Sequence, residues 1–244
     1  MSLTVSILLL VLFAFLASVT QRVTGFGFGI FIMTILPYLL PSYGEATALS
    51  GLLAIVTVAA TVVERRRDLR WGKLLPILIT FLVVSFFAVR IVSAVDSHIF
   101  KKVLGGILIL VSIYFFFFNG RIHMKPSIPV QLSMGTLSGL MGGLFAMQGP
   151  PAVIYFLSCS GDDKNEYMAL TSFYFIIGNA MMTFYRYANG FVTSVVMKDV
   201  LIALPAVILG FWVGSKIYAR TPVQLLRKLV YGYMAIAGLV ALIS

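Results

Sequence analysis

Gln21-Arg22-Val23-Thr24-Gly25-Phe26-Gly27-Phe28-Gly29 is the first of two glycine-rich stretches that decide the fold of this chain. The second reads Gly142-Gly143-Leu144-Phe145-Ala146-Met147-Gln148-Gly149-Pro150-Pro151. Both interrupt apolar segments that would otherwise cross a membrane as unbroken helices. In hydrocarbon, broken backbone is tolerated only where it lies against protein or lines a water-filled cavity. Paired breaks at corresponding places in two halves of a chain indicate a transporter's substrate site.

The composition around these breaks is that of a membrane protein. Of the 244 residues, 60% are hydrophobic and 11% charged, whereas soluble domains carry roughly 25% charged residues. The apolar start, residues 1–16, lacks a basic region and a small-residue cleavage site, so we interpret it as a retained segment. We therefore expect an all-α polytopic protein of the cell membrane, which is the inner membrane in a Gram-negative source.

The apolar segments suggest a duplication. We predict them at 3–20, 26–40, 46–63, 73–93, 101–118, 128–146, 150–158, 166–187, 198–218 and 225–243. Alignment of the halves places Gly27 against Gly149 and Pro76 against Pro205. We predict a first repeat at 1–120, a cytoplasmic linker at 121–127 and a second repeat at 128–244. Each repeat would hold a glycine-broken or re-entrant helical pair plus three full transmembrane helices.

The positive charges predict that the two repeats are inverted. The net charge is +10, and because the cations lie mostly in loops, we expect contact with the lipid bilayer and no nucleic-acid partner. The basic loop 64–73 is the strongest cytoplasmic signal. With that loop inside, an inverted second half leaves more Lys and Arg inside than a parallel one. Both termini would then face outside, and Arg186 counts among the outer cations.

The inventory of reactive residues argues against an enzyme and against bound metal. All eight carboxylates fall in predicted loops or segment ends, whereas proton pumps and cation carriers usually bury acids. The lone Cys159 and two predicted loop histidines, His98 and His123, offer no metal cluster. An intramembrane enzyme would need a nucleophile and a base at depth. We therefore expect no catalytic activity, no metal and no cofactor.

Arg22 is the clearest intramembrane charge in the sequence, and no acid lies near it along the chain. Intramembrane charges are usually functional, so we predict that Arg22 attracts or binds an anion. The alternative is that it reaches an interface or bonds backbone carbonyls.

The breaks themselves could supply the rest of an anion site. A new helix start presents free N–H groups and a partial positive charge, and oxyanions bind there. The alternative is that Gly27 and Gly29 are packing contacts between helices. Amide and hydroxyl side chains add hydrogen bonds. The predicted substrate-binding residues are Gln21, Arg22, Thr24, Gly25, Gly27, Gly29, Gln148, Gly149, Pro150 and Asn179.

The repeated glycine motifs, with 138–143 leading into Gly149-Pro150-Pro151, resemble the TauE/SafE (sulfite exporter) family over essentially the whole chain. The resemblance implies transport of sulfur-containing anions such as sulfite and organosulfonates, with proton coupling proposed. It also implies that the backbones of Gly25, Gly27, Gly29 and Gly149 bind substrate. This chain departs from the common pattern at Ala146-Met147-Gln148, where further glycines often occur.

These observations lead to a function hypothesis with one alternative. We expect a secondary transporter that moves a small anion by alternating access around a midplane site. The chain has no phosphate-binding G-x-x-x-x-G-K-[ST] motif, so it cannot itself use ATP. The alternative is a passive anion channel through the same breaks. The oligomeric state is left open.

Overall fold

The computed structural model describes residues 3–94, 97–118, 126–161 and 163–220, and this part of the chain contains helices and no strand. The predicted all-α class is thus confirmed. The last predicted segment, 225–243, and most of the linker lie outside the described residues. The helices are α1 Leu3–Thr24, α2 Phe28–Ile32, α3 Leu36–Leu39, α4 Tyr43–Arg65, α5 Trp71–Ala94, α6 Ser97–Phe118, α7 Ile128–Phe145, α8 Gly149–Ser160, α9 Lys164–Ala188 and α10 Ser194–Arg220. His98, expected in a loop, lies in the first turn of α6.

Five of the described helices are long and apolar enough to cross a membrane, namely α1, α4, α5, α9 and α10. Of these, α4 and α9 are the most buried, whereas α5 exposes a stripe of Ile79, Val83 and Phe87. Exposed apolar side chains four residues apart lie on one helix face, which suits contact with lipid. The 12-residue α8 is too short for a full span. The chain is therefore a polytopic membrane protein with shorter helices inside it.

The two central helices begin in the same way. Ser42 caps α4 through a reciprocal capping box with Glu45, and Asp163 caps α9 by accepting the N–H groups of Asn165 and Glu166. Each N3 glutamate then contacts the start of another helix. The Thr193 hydroxyl donates to Glu45 Oε1 at 2.7 Å, and the Lys73 ammonium donates to Glu166 Oε1 at 2.5 Å.

The contact pairs give the directions of the long helices. α1 and α10 run parallel, because Ser18 Oγ donates to the Val207 carbonyl at 2.7 Å while Arg22 Nε donates to Ser215 Oγ, further along both helices, at 2.8 Å. α4 and α9 run antiparallel, since Gly44 near the start of α4 lies against Phe191, just past the end of α9, while Gly51 lies against Thr183, earlier on α9.

α5 and α7 also run parallel, and glycines bring them together. Gly135, Gly139 and Gly143, four residues apart on α7, lie successively against Ile77, Phe81 and the segment Ser85–Ala88 of α5. Small residues at this spacing allow close helix approach in membranes.

Candidate functional site

The first break separates α1 from α2 at residues 25–27, and the side chain of Gln21 bridges it. Gln21 Nε2 donates to the Gly25 carbonyl at 3.1 Å, and Gln21 Oε1 accepts the N–H of Phe28, the first residue of α2, at 3.1 Å. Thr24 Oγ1 donates to the Phe26 carbonyl at 2.5 Å. Backbone groups freed by the break are thereby paired, as the membrane interior requires.

Gly27 occupies the N-cap of α2 with φ 100°. This left-handed conformation is open to glycine but strained for L residues with a β-carbon. A side chain at Gly27 would therefore disturb the break through the backbone alone.

The second break separates α7 from α8 at residues 146–148. The N–H of Ala146 donates to the Gly142 carbonyl at 3.0 Å, and that of Met147 donates to the Met141 carbonyl at 3.1 Å. The first of these bonds closes an αL cap, a helix ending whose left-handed position is usually glycine. Here it is Ala146, with φ 56°, the one non-glycine residue at positive φ among the described residues.

The start of α8 offers fewer N–H donors than the sequence analysis expected of a helix start. Its first three residues are Gly149, Pro150 and Pro151, and proline has no backbone N–H. Only the Gly149 N–H remains among them. The prolines fix the helix start instead of adding donors.

Two tyrosines of α9 donate hydrogen bonds at the two breaks. The Tyr167 hydroxyl donates to the Thr24 carbonyl at 3.3 Å, at the first break. The Tyr174 hydroxyl donates to Ser138 Oγ at 2.6 Å, and Ser138 Oγ donates to the Gln148 carbonyl at 2.5 Å, at the second. Both tyrosines are buried, so α9 holds the two breaks against one another.

The two breaks meet at one central cavity. A β-carbon on Gly29 would lie 2.1 Å from the Ala146 carbonyl oxygen, so the backbones of the two breaks touch. The cavity volume beside this contact is about 30 Å³, which holds about two water-sized groups at roughly 10–15 Å³ each. The central cavity is lined by Gln21, Gly27, Phe28, Gly29, Ile30, Ser50, Ala54, Val58, Ala146, Met147, Gln148, Gly149, Phe175 and Asn179.

The lining of the central cavity combines polar and apolar side chains without charge, because no described Lys, Arg, Asp or Glu belongs to it. The side chains of Ser50 and Asn179 form no hydrogen bond within the described part of the chain. Gln148 Oε1 is buried and also has no partner there. Buried polar groups are normally paired. These three side chains are therefore free to bind a solute.

Six of the ten predicted site residues line the central cavity: Gln21, Gly27, Gly29, Gln148, Gly149 and Asn179. Thr24, Gly25, Pro150 and Arg22 do not. The first three of these shape the breaks, as described above. The Gln21 amide is occupied in bridging the first break, so Ser50, which was outside the predicted set, has the freer side chain.

Arg22 lies away from the central cavity, in a cluster of polar side chains at the ends of α1, α4 and α10. It donates to Thr61 Oγ1 at 2.7 Å and to Ser215 Oγ at 2.8 Å, and it pairs with Glu64 Oε2 at 3.2 Å. No acid lies near Arg22 along the chain, yet the fold gives it an acidic partner. Glu64 is distant in sequence, and the parallel course of α1 and α4 brings it to Arg22.

The sequence analysis missed a second arginine. Arg186 was counted among the outer cations, yet its exposed fraction is 0%. It donates from Nη2 to the Gly142 carbonyl at 3.0 Å. A signal existed in the spacing, because Ser172, Asn179 and Arg186 are seven residues apart on α9. This spacing places them on one helix face, and all three are buried.

These features define a class of protein: a polytopic helical membrane protein whose helix breaks meet at a central cavity with polar groups in its lining, as in transporters. The sequence model of the sulfite exporter TauE/SafE family matches residues 10–241. The chain therefore belongs to the TauE/SafE family of membrane transporters. The predicted resemblance, the transporter rather than enzyme class and the multi-pass cell-membrane location are confirmed.

One curated relative gives the family match a more specific context. The chain is 21% identical over 225 residues to a probable sulfite/organosulfonate exporter TauE of Cupriavidus necator. The alignment covers 88% of this chain and 85% of that protein. No solved structure matches the chain significantly.

Proposed function

We propose that the chain is a secondary transporter that moves a small sulfur-containing oxyanion or organosulfonate across the cell membrane by alternating access. The observation that carries the proposal is the contact of Gly29 with the Ala146 carbonyl beside the central cavity. Because the breaks belong to different halves of the chain, a movement of one half against the other opens this contact. A substrate held there would face each side of the membrane in turn.

The helix directions support two inverted repeats as the moving parts, at 1–120 and 128–244. In the duplication, α1 corresponds to α7, α4 to α9 and α5 to α10. The α1–α10 pair therefore corresponds to the α7–α5 pair. Both pairs are parallel. The equivalent helices α4 and α9 run antiparallel, which is the relationship expected for halves of opposite orientation in the membrane.

The chemistry of the central cavity supports an anionic substrate. Its lining contains no carboxylate to repel an anion. The amides of Gln148 and Asn179 and the Ser50 hydroxyl can donate to substrate oxygens, while the adjacent helix starts add partial positive charge. Sulfite, with a single sulfur and three oxygens, suits a small cavity better than a long organosulfonate. The name of the Cupriavidus relative supports this substrate class and export as the direction.

Flux in proteoliposomes tests the proposal. Purified protein should carry radiolabelled sulfite, and Asn179→Ala should slow the flux at low sulfite concentration on the order of tenfold or more, because it removes a hydrogen bond to a charged substrate. Asn165→Ala is the matched control, since Asn165 is an exposed residue of the same helix. Wild-type protein that carries neither sulfite nor an organosulfonate would contradict the proposed function.

The same vesicles separate a carrier from the alternative, a passive anion channel. Unlabelled sulfite on the far side should accelerate entry of labelled sulfite, because a carrier returns faster when loaded. A channel gives no such acceleration. Repeating the measurement with an imposed pH gradient tests whether protons are coupled to the anion.

A further inference from the structure

Arg186 carries a buried positive charge that the central cavity does not use. The guanidinium is charged at any physiological pH and is fully enclosed between α4, α7 and α9. Within the described residues it forms no ion pair. Its Nε and Nη1 atoms are buried, and no described residue is their hydrogen-bond partner. A charge in the protein interior is costly unless it is paired and hydrogen-bonded.

Within the described residues, the Arg186 side chain donates to one oxygen, and this hydrogen bond is dispensable for the fold. Its acceptor, the Gly142 carbonyl, already receives the N–H of Ala146 at 3.0 Å. The αL cap that ends α7 is therefore complete without the arginine. The burial of the unpaired Nε and Nη1 atoms of the guanidinium is therefore not explained by the end of α7.

A second polar atom without a partner lies beside the guanidinium. Thr183 Oγ1 is buried and unpaired, one helical turn before Arg186. Both atoms approach the same bare surface on α4, because a β-carbon on Gly51 would lie 3.0 Å from Arg186 Nη1 and 3.2 Å from Thr183 Oγ1. The charged Nη1 donor of Arg186 and the Thr183 hydroxyl therefore both face Gly51, where α4 has no side chain.

The position of these groups connects them to the central cavity. Asn179 and Arg186 lie on one buried face of α9, seven residues and about 10 Å apart. Ser50, which lines the central cavity, is adjacent to Gly51, which faces the guanidinium. Between the two levels lies Met182, whose sulfur is 3.9 Å from Arg186 Nη2. Methionine is a flexible side chain that repacks readily.

We propose that Arg186 and Thr183 form a second binding station for the transported oxyanion, between the central cavity and the end of the bundle where α9 ends. The proposal rests on the proposed function and adds a charged site to it. Nε, Nη1 and the Thr183 hydroxyl would bind the oxygens of the anion, as guanidinium groups bind oxyanions. The anion in turn supplies the counter-charge that the described residues do not.

Three variants test the station. Arg186→Gln should raise the KM for sulfite at least tenfold, and Arg186→Lys, which keeps the charge but not the planar fork, should raise it less. Arg90→Gln is the matched control, because Arg90 is an exposed arginine near the same end of the bundle and its loss changes net charge equally. Arg90→Gln should leave the KM unchanged.

Heat stability separates binding from a structural role. Without anion, purified Arg186→Gln should unfold at the same temperature as wild type or higher, since an unpaired buried charge is removed. A clearly lower unfolding temperature would indicate that Arg186 is structural and would overturn the proposal. So would a sulfite KM within twofold of wild type in a folded Arg186→Gln protein.

Gly51→Ala gives an independent test that keeps the arginine. Its β-carbon would lie 3.0 Å from Nη1 and 3.2 Å from Thr183 Oγ1 and would press on both groups, so the KM should rise. An unchanged KM in folded protein would overturn the station. Failure of the proposed function is distinguishable. If wild type carries no sulfur oxyanion, stabilisation against heat by sulfate should still fall by at least half in Arg186→Gln and persist in Arg90→Gln. Equal stabilisation in all three proteins would overturn the station itself.

Discussion

A β-carbon on Gly29 would stand 2.1 Å from the carbonyl oxygen of Ala146, so backbone touches backbone where the two breaks meet. Ala146 cannot turn its carbonyl aside easily, because the hydrogen bonds that the N–H groups of Ala146 and Met147 donate at the end of α7 fix the local backbone. The contact joins residues more than a hundred positions apart. It is the point at which the first half of the chain meets the second beside the central cavity.

Gly29→Ala should therefore disrupt both folding and transport. Overpacking a tight site costs typically about 1–3 kcal/mol, and here the obstacle is backbone. We expect a lower unfolding temperature in detergent and loss of sulfite flux. Gly149→Ala should keep the wild-type unfolding temperature, because its β-carbon would meet no atom closer than 3.6 Å.

The control for flux is Gly106→Ala in α6, where no atom lies within 4 Å of the added carbon. It should change neither stability nor transport. If Gly29→Ala were as stable as this control, the close approach of the two breaks would be disproved.

Ala146→Gly should stabilise the protein. The left-handed conformation costs an L residue about 1–2 kcal/mol, while glycine gives back about 0.4–1 kcal/mol through the entropy of the unfolded chain. The net expectation is a gain on the order of 0.5–1 kcal/mol in the free energy of unfolding, measured by denaturant titration in detergent. Ala152→Gly, at a buried position in right-handed α8, should be destabilising instead. A loss of stability in Ala146→Gly would contradict the φ of 56° at this residue.

Arg22 and Glu64 should show a measurable but modest coupling. The pair is 3.2 Å apart, with the Glu64 side chain 46% exposed, so solvent screening limits the coupling to about 0.2–1 kcal/mol. Arg22→Ala alone should lose more, roughly 1–3 kcal/mol, because Thr61 and Ser215 also lose their donor. A double-mutant cycle with Glu64→Gln in denaturant measures the coupling.

The same variants decide the role of Arg22. If Arg22 holds α1, α4 and α10 together, Arg22→Ala should lower the free energy of unfolding and leave the sulfite KM close to that of wild type. A large rise in KM at wild-type stability would favour the original hypothesis that Arg22 binds the anion.

Cysteine labelling should place the two ends of the bundle on opposite sides of the membrane. Lys73, Cys159 and Glu166 meet at one end, whereas Gly190 follows the far end of the 25-residue α9. In a Cys159→Ser background, an impermeant maleimide should label Gly190→Cys in intact cells. Arg67→Cys and Gly161→Cys should react only after permeabilisation. The reverse pattern would invert the predicted orientation, and equal labelling of all three would contradict a membrane-spanning α9.

Much of the fold could be predicted from local patterns. Long apolar runs, the glycine breaks and the proline-marked start of α8 are read directly from neighbouring residues, because membrane crossing and helix termination are governed by the segment itself. Asn179 was found in the same way, as a polar residue that lipid would not tolerate unpaired. The sequence analysis also expected more N–H donors at the start of α8 than the structure offers, because Pro150 and Pro151 have no backbone N–H.

The arginines show where local reasoning ends. Whether a cation is paired, exposed or buried depends on which distant helix lies beside it. Arg22 was predicted to face an anion and instead meets Glu64, while Arg186 was counted as an outer cation and instead lies wholly buried. The seven-residue spacing between Asn179 and Arg186 indicated that both lie on the buried face of α9. It did not indicate which residues cover that face.

The sequence by itself determined that this is an all-helical membrane protein with two interrupted segments, because hydropathy and backbone chemistry act over a few residues. Only the tertiary structure decided that the interruptions touch, through Gly29 and Ala146, and that Ser50, Gln148 and Asn179 share one cavity. It also decided which arginine carries an unpaired charge. Such relationships arise from the packing of helices that are distant in sequence, and packing is a property of the whole bundle.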